Sequence, residues 1–163
     1  MKILIIYGTN SSSARVASEA LQEVWSHAGH EVALRSAHDA QPEELNICDL
    51  IVFGSCTWEL ITPKRRFEGQ LQQHFIEFKK RLAGKTFPGK KFAVFGLGDS
   101  SYTNFCIAAN HLEVLVKQIG GTQVGPTLRV DSFFFDQEAN EKKIRSWAHT
   151  VLKLMITPVP LHA

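Results

Sequence analysis

Lys2-Ile3-Leu4-Ile5-Ile6-Tyr7-Gly8-Thr9-Asn10-Ser11-Ser12-Ser13-Ala14-Arg15 joins an unbroken apolar run to a helix through a loop made almost wholly of hydroxyls and amides. Ile3 to Ile6 shows no polar alternation, as a central parallel strand covered on both faces requires. Beyond the loop, Ala17, Ala20, Leu21, Val24 and Ala28 recur at helical spacing, and Gly29 ends the stripe. A helix N-terminus presents backbone N–H groups without intrahelical partners and a partial positive charge, so the loop feeding it suits a phosphate. Thr9, Ser11, Ser12 and Ser13 would add neutral hydroxyl donors. Taken alone, such residues are more often ordinary helix caps than a ligand site.

The pattern repeats along the chain. Glu31 to Ser36 reads as a second strand, and Pro42 to Ile47 as a connection with one helical turn. Leu50-Ile51-Val52-Phe53 is a third strand, followed by the loop Gly54-Ser55-Cys56-Thr57-Trp58-Glu59. Trp58 joins no apolar stripe there and is either a loop anchor or a stacking surface. Leu71, Phe75, Phe78 and Leu82 predict a helix over 71–82 with its lysines outward. Phe92-Ala93-Val94-Phe95 is a fourth strand, leading into Gly96-Leu97-Gly98-Asp99-Ser100-Ser101-Tyr102, where Asp99 to Ser101 reads as the N-cap region of the next helix. That helix buries Ala108, Leu112, Leu115, Val116 and Ile119 and stops at Gly120-Gly121. A fifth strand is spread over Thr122 to Val130, broken at Gly125-Pro126, and a last helix runs from about Gln137 to Met155.

Five strands alternating with helices predict an α/β fold: a doubly wound, five-stranded parallel sheet in the order 2-1-3-4-5 with helices on both faces. The crevice at the carboxyl ends of strands 1 and 3 then gathers the loops after strands 1, 3 and 4 around one flat, phosphorylated ligand.

A chain of 163 residues with 44% hydrophobic content predicts one domain over 1–163, with about 157–163 a loose tail. The N-terminal apolar run is too short for a leader or a membrane span, so the expectation is a soluble, cytoplasmic protein with no membrane contact. Cys48, Cys56 and Cys106 are odd in number and lack metal-ligand spacing, which predicts free thiols and no metal site. The seven histidines form no triad and read as surface residues. Residues 62–91 carry nine basic side chains against two acidic ones, but no recognition motif is interleaved with them, and no nucleic-acid partner is expected.

The blocks Ile6-Tyr7-Gly8-Thr9 to Ser13, Gly54-Ser55-Cys56-Thr57-Trp58 and Phe95-Gly96-Leu97-Gly98-Asp99-Ser100-Ser101-Tyr102 with Phe105-Cys106 resemble a short-chain flavodoxin, as do Leu128-Arg129-Val130-Asp131 and Trp147-Ala148-His149. The resemblance covers essentially the whole chain. It implies a low-potential electron carrier rather than an enzyme, with non-covalent FMN cycling through a semiquinone and no catalytic residues. It implies that Thr9, Ser11 and Ser13, with the backbone of Asn10 and Ser12, hold the phosphate. Trp58 and Tyr102 would cover the two faces of the isoalloxazine. Thr57, Leu97, Gly98 and Asp99 would meet the ring edge and ribityl chain, with Ser55, Cys56, Glu59, Phe105 and Cys106 completing the site. The implied partners are a reductase donor and an acceptor enzyme docking near the flavin edge on a monomer.

Three departures from the family stand out. Ser12 and Ala14 occupy positions where the family usually has Gly and Thr, so Ser12 must avoid a positive φ or carry a cost of about 1–2 kcal/mol. Glu59 follows the Trp where many members have Gly, which predicts a less stable semiquinone. Lys64, Arg65 and Arg66 follow the Trp loop where the family is typically acidic, and would modulate docking if they lie near the flavin. The competing reading is an FMN-dependent NAD(P)H or quinone reductase, which needs an open pocket over the flavin. A receiver-type signalling module would need acidic residues after strand 1, and Tyr7 to Asn10 offers none.

Overall fold

The computed structural model of the chain describes residues 1–58, 61–62, 65–66, 69–101 and 104–157, with the backbone alone at 61–62 and 65–66. Glu59, Lys64, Tyr102 and the tail beyond Thr157 lie outside the described residues. β1 (Lys2–Gly8), β2 (Glu31–Ser36), β3 (Leu50–Trp58) and β7 (Lys91–Gly98) form the parallel body of the sheet. The fifth position is shared by β8 (Thr122–Gln123) and β9 (Leu128–Asp131), both parallel to β7, so the order is β2-β1-β3-β7 and then β8 with β9. This is the expected 2-1-3-4-5 sheet. The break in the fifth strand falls where Gly125 turns at φ 72° and Pro126 has no N–H to give the ladder.

Adjacent side chains of β1 enter opposite layers, because the side-chain period of a strand is two. Ile3 and Ile5 pack under α1 (Ser13–His27) and α4 (Gln137–Ile156) with Val52, Phe95, Ile144 and Trp147. Leu4 and Ile6 pack with Phe53, Phe75, Phe78 and Leu112 under α2 (Gln73–Arg81) and α3 (Ile107–Gln118). The Trp25 indole N–H donates to the carbonyl of Ala148 at 3.0 Å and ties α1 to α4. Among the described residues no helix is long and apolar enough to cross a membrane.

Four boundaries differ from the sequence reading. β3 and β7 run past Phe53 and Phe95 to Trp58 and Gly98, so much of the expected loop is strand. Leu71 is not helical: it lies in β6 (Gln70–Leu71), antiparallel to the end of β3 through Thr57 and Leu71. The helix starts later because Gln72 caps it, accepting from the backbone N–H of His74 at 2.9 Å. Asp99 to Ser101 does not cap α3, whose N-cap is Cys106 in the left-handed conformation. Finally, the basic segment after Trp58 includes a two-residue antiparallel ribbon, β4 (Ile61–Thr62) with β5 (Arg65–Arg66).

Candidate functional site

The carboxyl ends of β1, β3, β7 and β9 open into a cleft of about 590 Å³, a volume typical of small-molecule sites. Ser11 and Ser13 line it from the β1–α1 loop, Cys56 and Thr57 from β3, and Leu97, Gly98 and Asp99 from β7. All of these are residues expected at the site from the sequence. Asn104 and Ser132 to Phe135 complete the lining and were missed.

The β1–α1 loop owes its shape to Ser12, which sits at φ 66°, ψ −4° and accepts from the N–H of Val16 at 2.9 Å. Ser12 therefore does not avoid the left-handed region, and a Cβ there is strained. Replacing Ser12 with glycine is expected to raise stability by about 0.5–1 kcal/mol, the relief being partly offset by glycine's greater unfolded-state entropy. Urea denaturation checks this, and a lower midpoint for Ser12→Gly would contradict it.

The hydroxyls of Ser11 and Ser13 lie 3.5 Å apart, and Ser13 opens α1, where the first N–H groups have no intrahelical acceptors. Thr9 Oγ1 is buried and has no hydrogen-bond partner among the described residues. A buried hydroxyl without a partner costs about 1–3 kcal/mol, so its neighbourhood is built for a group that arrives with acceptors. Asn10 is the anchor of the loop: its side-chain oxygen accepts from Gln72 Nε2 at 3.2 Å, while its backbone N–H faces the Cys56 thiol.

The opposite wall is stapled from two loops. Asp131 Oδ1 accepts from the N–H of Ser100 and the hydroxyl of Ser132, each at 2.9 Å, and the N–H of Ser132 donates to the carbonyl of Gly98 at 2.8 Å. Asp99 accepts from the N–H of Ser101 at 2.8 Å. The hydroxyl of Ser101, with its N–H, holds the Asp99 carboxyl below the usual carboxylate range, and Ser100 followed by Ser132 does the same for Asp131. Asn140 Nδ2 clamps the second loop from α4, donating to the carbonyls of Asp131, Ser132 and Phe133 at 3.2, 3.4 and 3.1 Å. The cleft thus has neutral hydroxyls at one end and an ionised carboxylate at the other. Phe133 is buried, whereas Phe134 is 51% and Phe135 94% exposed. Three phenylalanines between a strand end and the Asp136 cap were the available signal, since apolar side chains in a loop need a surface to cover.

Other assigned residues face elsewhere. Ser55 is fully buried, its hydroxyl donating to the carbonyl of Cys56 at 2.8 Å and accepting from the N–H of Gln72 at 3.0 Å, so it fastens the start of α2. Cys106 is also fully buried, its thiol directed at the carbonyls of Gly96 and Val130, both at 3.6 Å. Burial pushes that thiol up to about 11 and leaves it an inert link between β7 and β9. Phe105 does not line the cleft. Trp58, the last residue of β3, is half-buried, is absent from the cleft lining and adjoins that wall through Thr57.

The family model "Flavodoxin" matches residues 5–147. A flavodoxin of Maridesulfovibrio salexigens is 33% identical over 147 residues, covering 90% of this chain and 93% of the relative. The crystal structure of oxidised flavodoxin 2 from Bacillus cereus superposes with a TM-score of 0.82 at 28% identity, covering 94% of this chain and 99% of that one. A Fusobacterium nucleatum flavodoxin bound to flavin mononucleotide shares the fold, with a TM-score of 0.75 at 16% identity over 93% of this chain and 97% of that one.

Proposed function

This chain belongs to the flavodoxin family and is an FMN-dependent electron carrier rather than an enzyme, and from that premise we propose which residues hold the cofactor and where partners dock. The observation that carries the assignment is the buried Thr9 hydroxyl, without a partner among the described residues, in the loop that feeds the start of α1. Thr9, Ser11 and Ser13, with the backbone N–H of Ser12, hold the phosphate through neutral dipoles, while Asn10, whose own N–H is turned to Cys56, anchors the loop through Gln72. Thr57, Leu97, Gly98 and Asp99 meet the ribityl chain and ring edge, and Trp58 and Tyr102 cover the ring faces.

When bound, FMN supplies the one-electron chemistry. The chain's own residues set its surroundings: the aromatic walls exclude water, and the Asp99 carboxylate opposes added negative charge, which favours a low potential. Phe134 and Phe135 extend the apolar wall. The double change Phe134→Ala and Phe135→Ala is expected to weaken FMN binding about tenfold, for an aromatic contribution near 1.4 kcal/mol. An unchanged dissociation constant by fluorescence titration would remove them from the site.

We further propose a single-domain cytoplasmic monomer that receives electrons from a reductase and passes them to an acceptor protein. The exposed Phe135 at the cleft supports docking on this face. The FMN-loaded chain mixed with NADPH and a quinone should show no turnover beyond free FMN, and should pass electrons once an NADPH-dependent reductase is added. Sustained NADPH oxidation by the chain alone would instead support a quinone reductase.

A further inference from the structure

We propose that His38, His74 and Glu77 form a surface site for a divalent transition metal, with zinc as the test ion. The three residues offer ligand atoms that all lie within 4.8 Å of one another, two of them on α2, and none of the three lines the cleft. In sequence, 36 positions separate the two histidines, which is why no metal-ligand spacing was visible.

The geometry is close to what a metal requires. Zinc bonds of about 2.1 Å in a tetrahedron place neighbouring ligand atoms about 3.4 Å apart. His74 Nδ1 and Glu77 Oε2, three residues apart on α2, are already 3.3 Å from each other. His38 completes the set from the turn after β2, its ring 4.9 Å from that of His74 between centroids and steeply inclined to it at 61°. Its ring is exposed, so turning it by the remaining ångström displaces no core atom.

The backbone at His38 is hydrogen-bonded to α2. Arg81 Nη2 donates to the carbonyls of Ala37, His38 and Ala40 at 2.7, 3.3 and 3.1 Å, and its guanidinium stacks over Phe78 at 5.3 Å. That cation is therefore engaged by carbonyl dipoles. Two imidazoles and a carboxylate form a borderline-soft donor set that suits zinc, nickel or copper over calcium or magnesium, and three protein ligands leave a fourth position for water.

The test is calorimetric titration of the untagged, FMN-loaded full chain with zinc chloride. The expected result is one site, with affinity lowered about tenfold or more by each of His38→Ala, His74→Ala and Glu77→Gln, since even partners behind a ligand are worth that much. His149→Ala, an exposed histidine on α4, should change nothing. Circular dichroism confirms that the variants are folded. Zinc binding of unchanged affinity in His38→Ala and His74→Ala, or no zinc binding by the unaltered chain, would overturn the proposal.

Discussion

Replacing Thr9 with valine is expected to weaken FMN binding by roughly tenfold to a hundredfold while leaving the flavin-free protein more stable. The two effects share one cause. Thr9 Oγ1 is buried without a partner among the described residues, a state that costs about 1–3 kcal/mol when nothing is bound. Valine keeps the shape and removes the orphaned hydroxyl, so the unfolding midpoint of the apoprotein should rise. With ligand present, the same hydroxyl donates to a charged phosphate oxygen, a bond of about 1.5–3 kcal/mol that valine cannot make. Fluorescence titration with FMN and urea denaturation of the apoprotein check the pair. A loss of stability without loss of affinity would mean that Thr9 has a structural role.

Gly54→Ala is expected to destabilise the fold by about 3 kcal/mol or more, at the upper end of overpacking effects. A Cβ at Gly54 would stand 1.9, 2.1 and 2.5 Å from three atoms of the Phe95 ring, which crosses the glycine from the neighbouring strand. That ring is fully buried and packs edge-on against Trp147 at 6.4 Å, so it has nowhere to retreat. The absence of a side chain at Gly54 is what lets Phe95 bridge the sheet to α4. Adding Phe95→Leu to Gly54→Ala should restore part of the lost stability in urea denaturation. No recovery in the double variant would place the strain elsewhere.

The layers were legible because strands covered on both faces leave a signal that needs no partner: Ile3 to Ile6, Leu50 to Phe53 and Phe92 to Phe95 are apolar without alternation. Helix stripes such as Ala17, Leu21 and Val24 were legible for the same reason. The ends of β3 and β7 were not. Small residues such as Gly54, Ser55 and Gly96 look like loop in a sequence, yet here they are strand: the two glycines let a neighbour approach closely, and the Ser55 hydroxyl accepts from Gln72. A Cβ on Gly96 would meet that of Ala109 at 2.7 Å. Once β3 continues through Trp58, strand alternation separates Cys56, which lines the cleft, from Ser55, which turns toward α2, and only at the strand's end does the adjacent Thr57 also reach the cleft. Cys106 was assigned to the site by its neighbours in the chain, but its left-handed backbone at φ 50° carries the thiol beneath the loop. Phe133 to Phe135 escaped because nothing local says that the strand end at Asp131, far along the chain from Asp99, closes the same cleft. That closure rests on Ser100 reaching Asp131.

The central claim, that the cleft between Ser11 and Asp99 is an FMN site, is tested most directly by titrating the flavin-free protein with FMN and following flavin fluorescence. The expected result is quenching that ends sharply at one equivalent, as aromatic walls close over the ring. Fluorescence that rises with added FMN as it does in buffer alone would contradict the assignment.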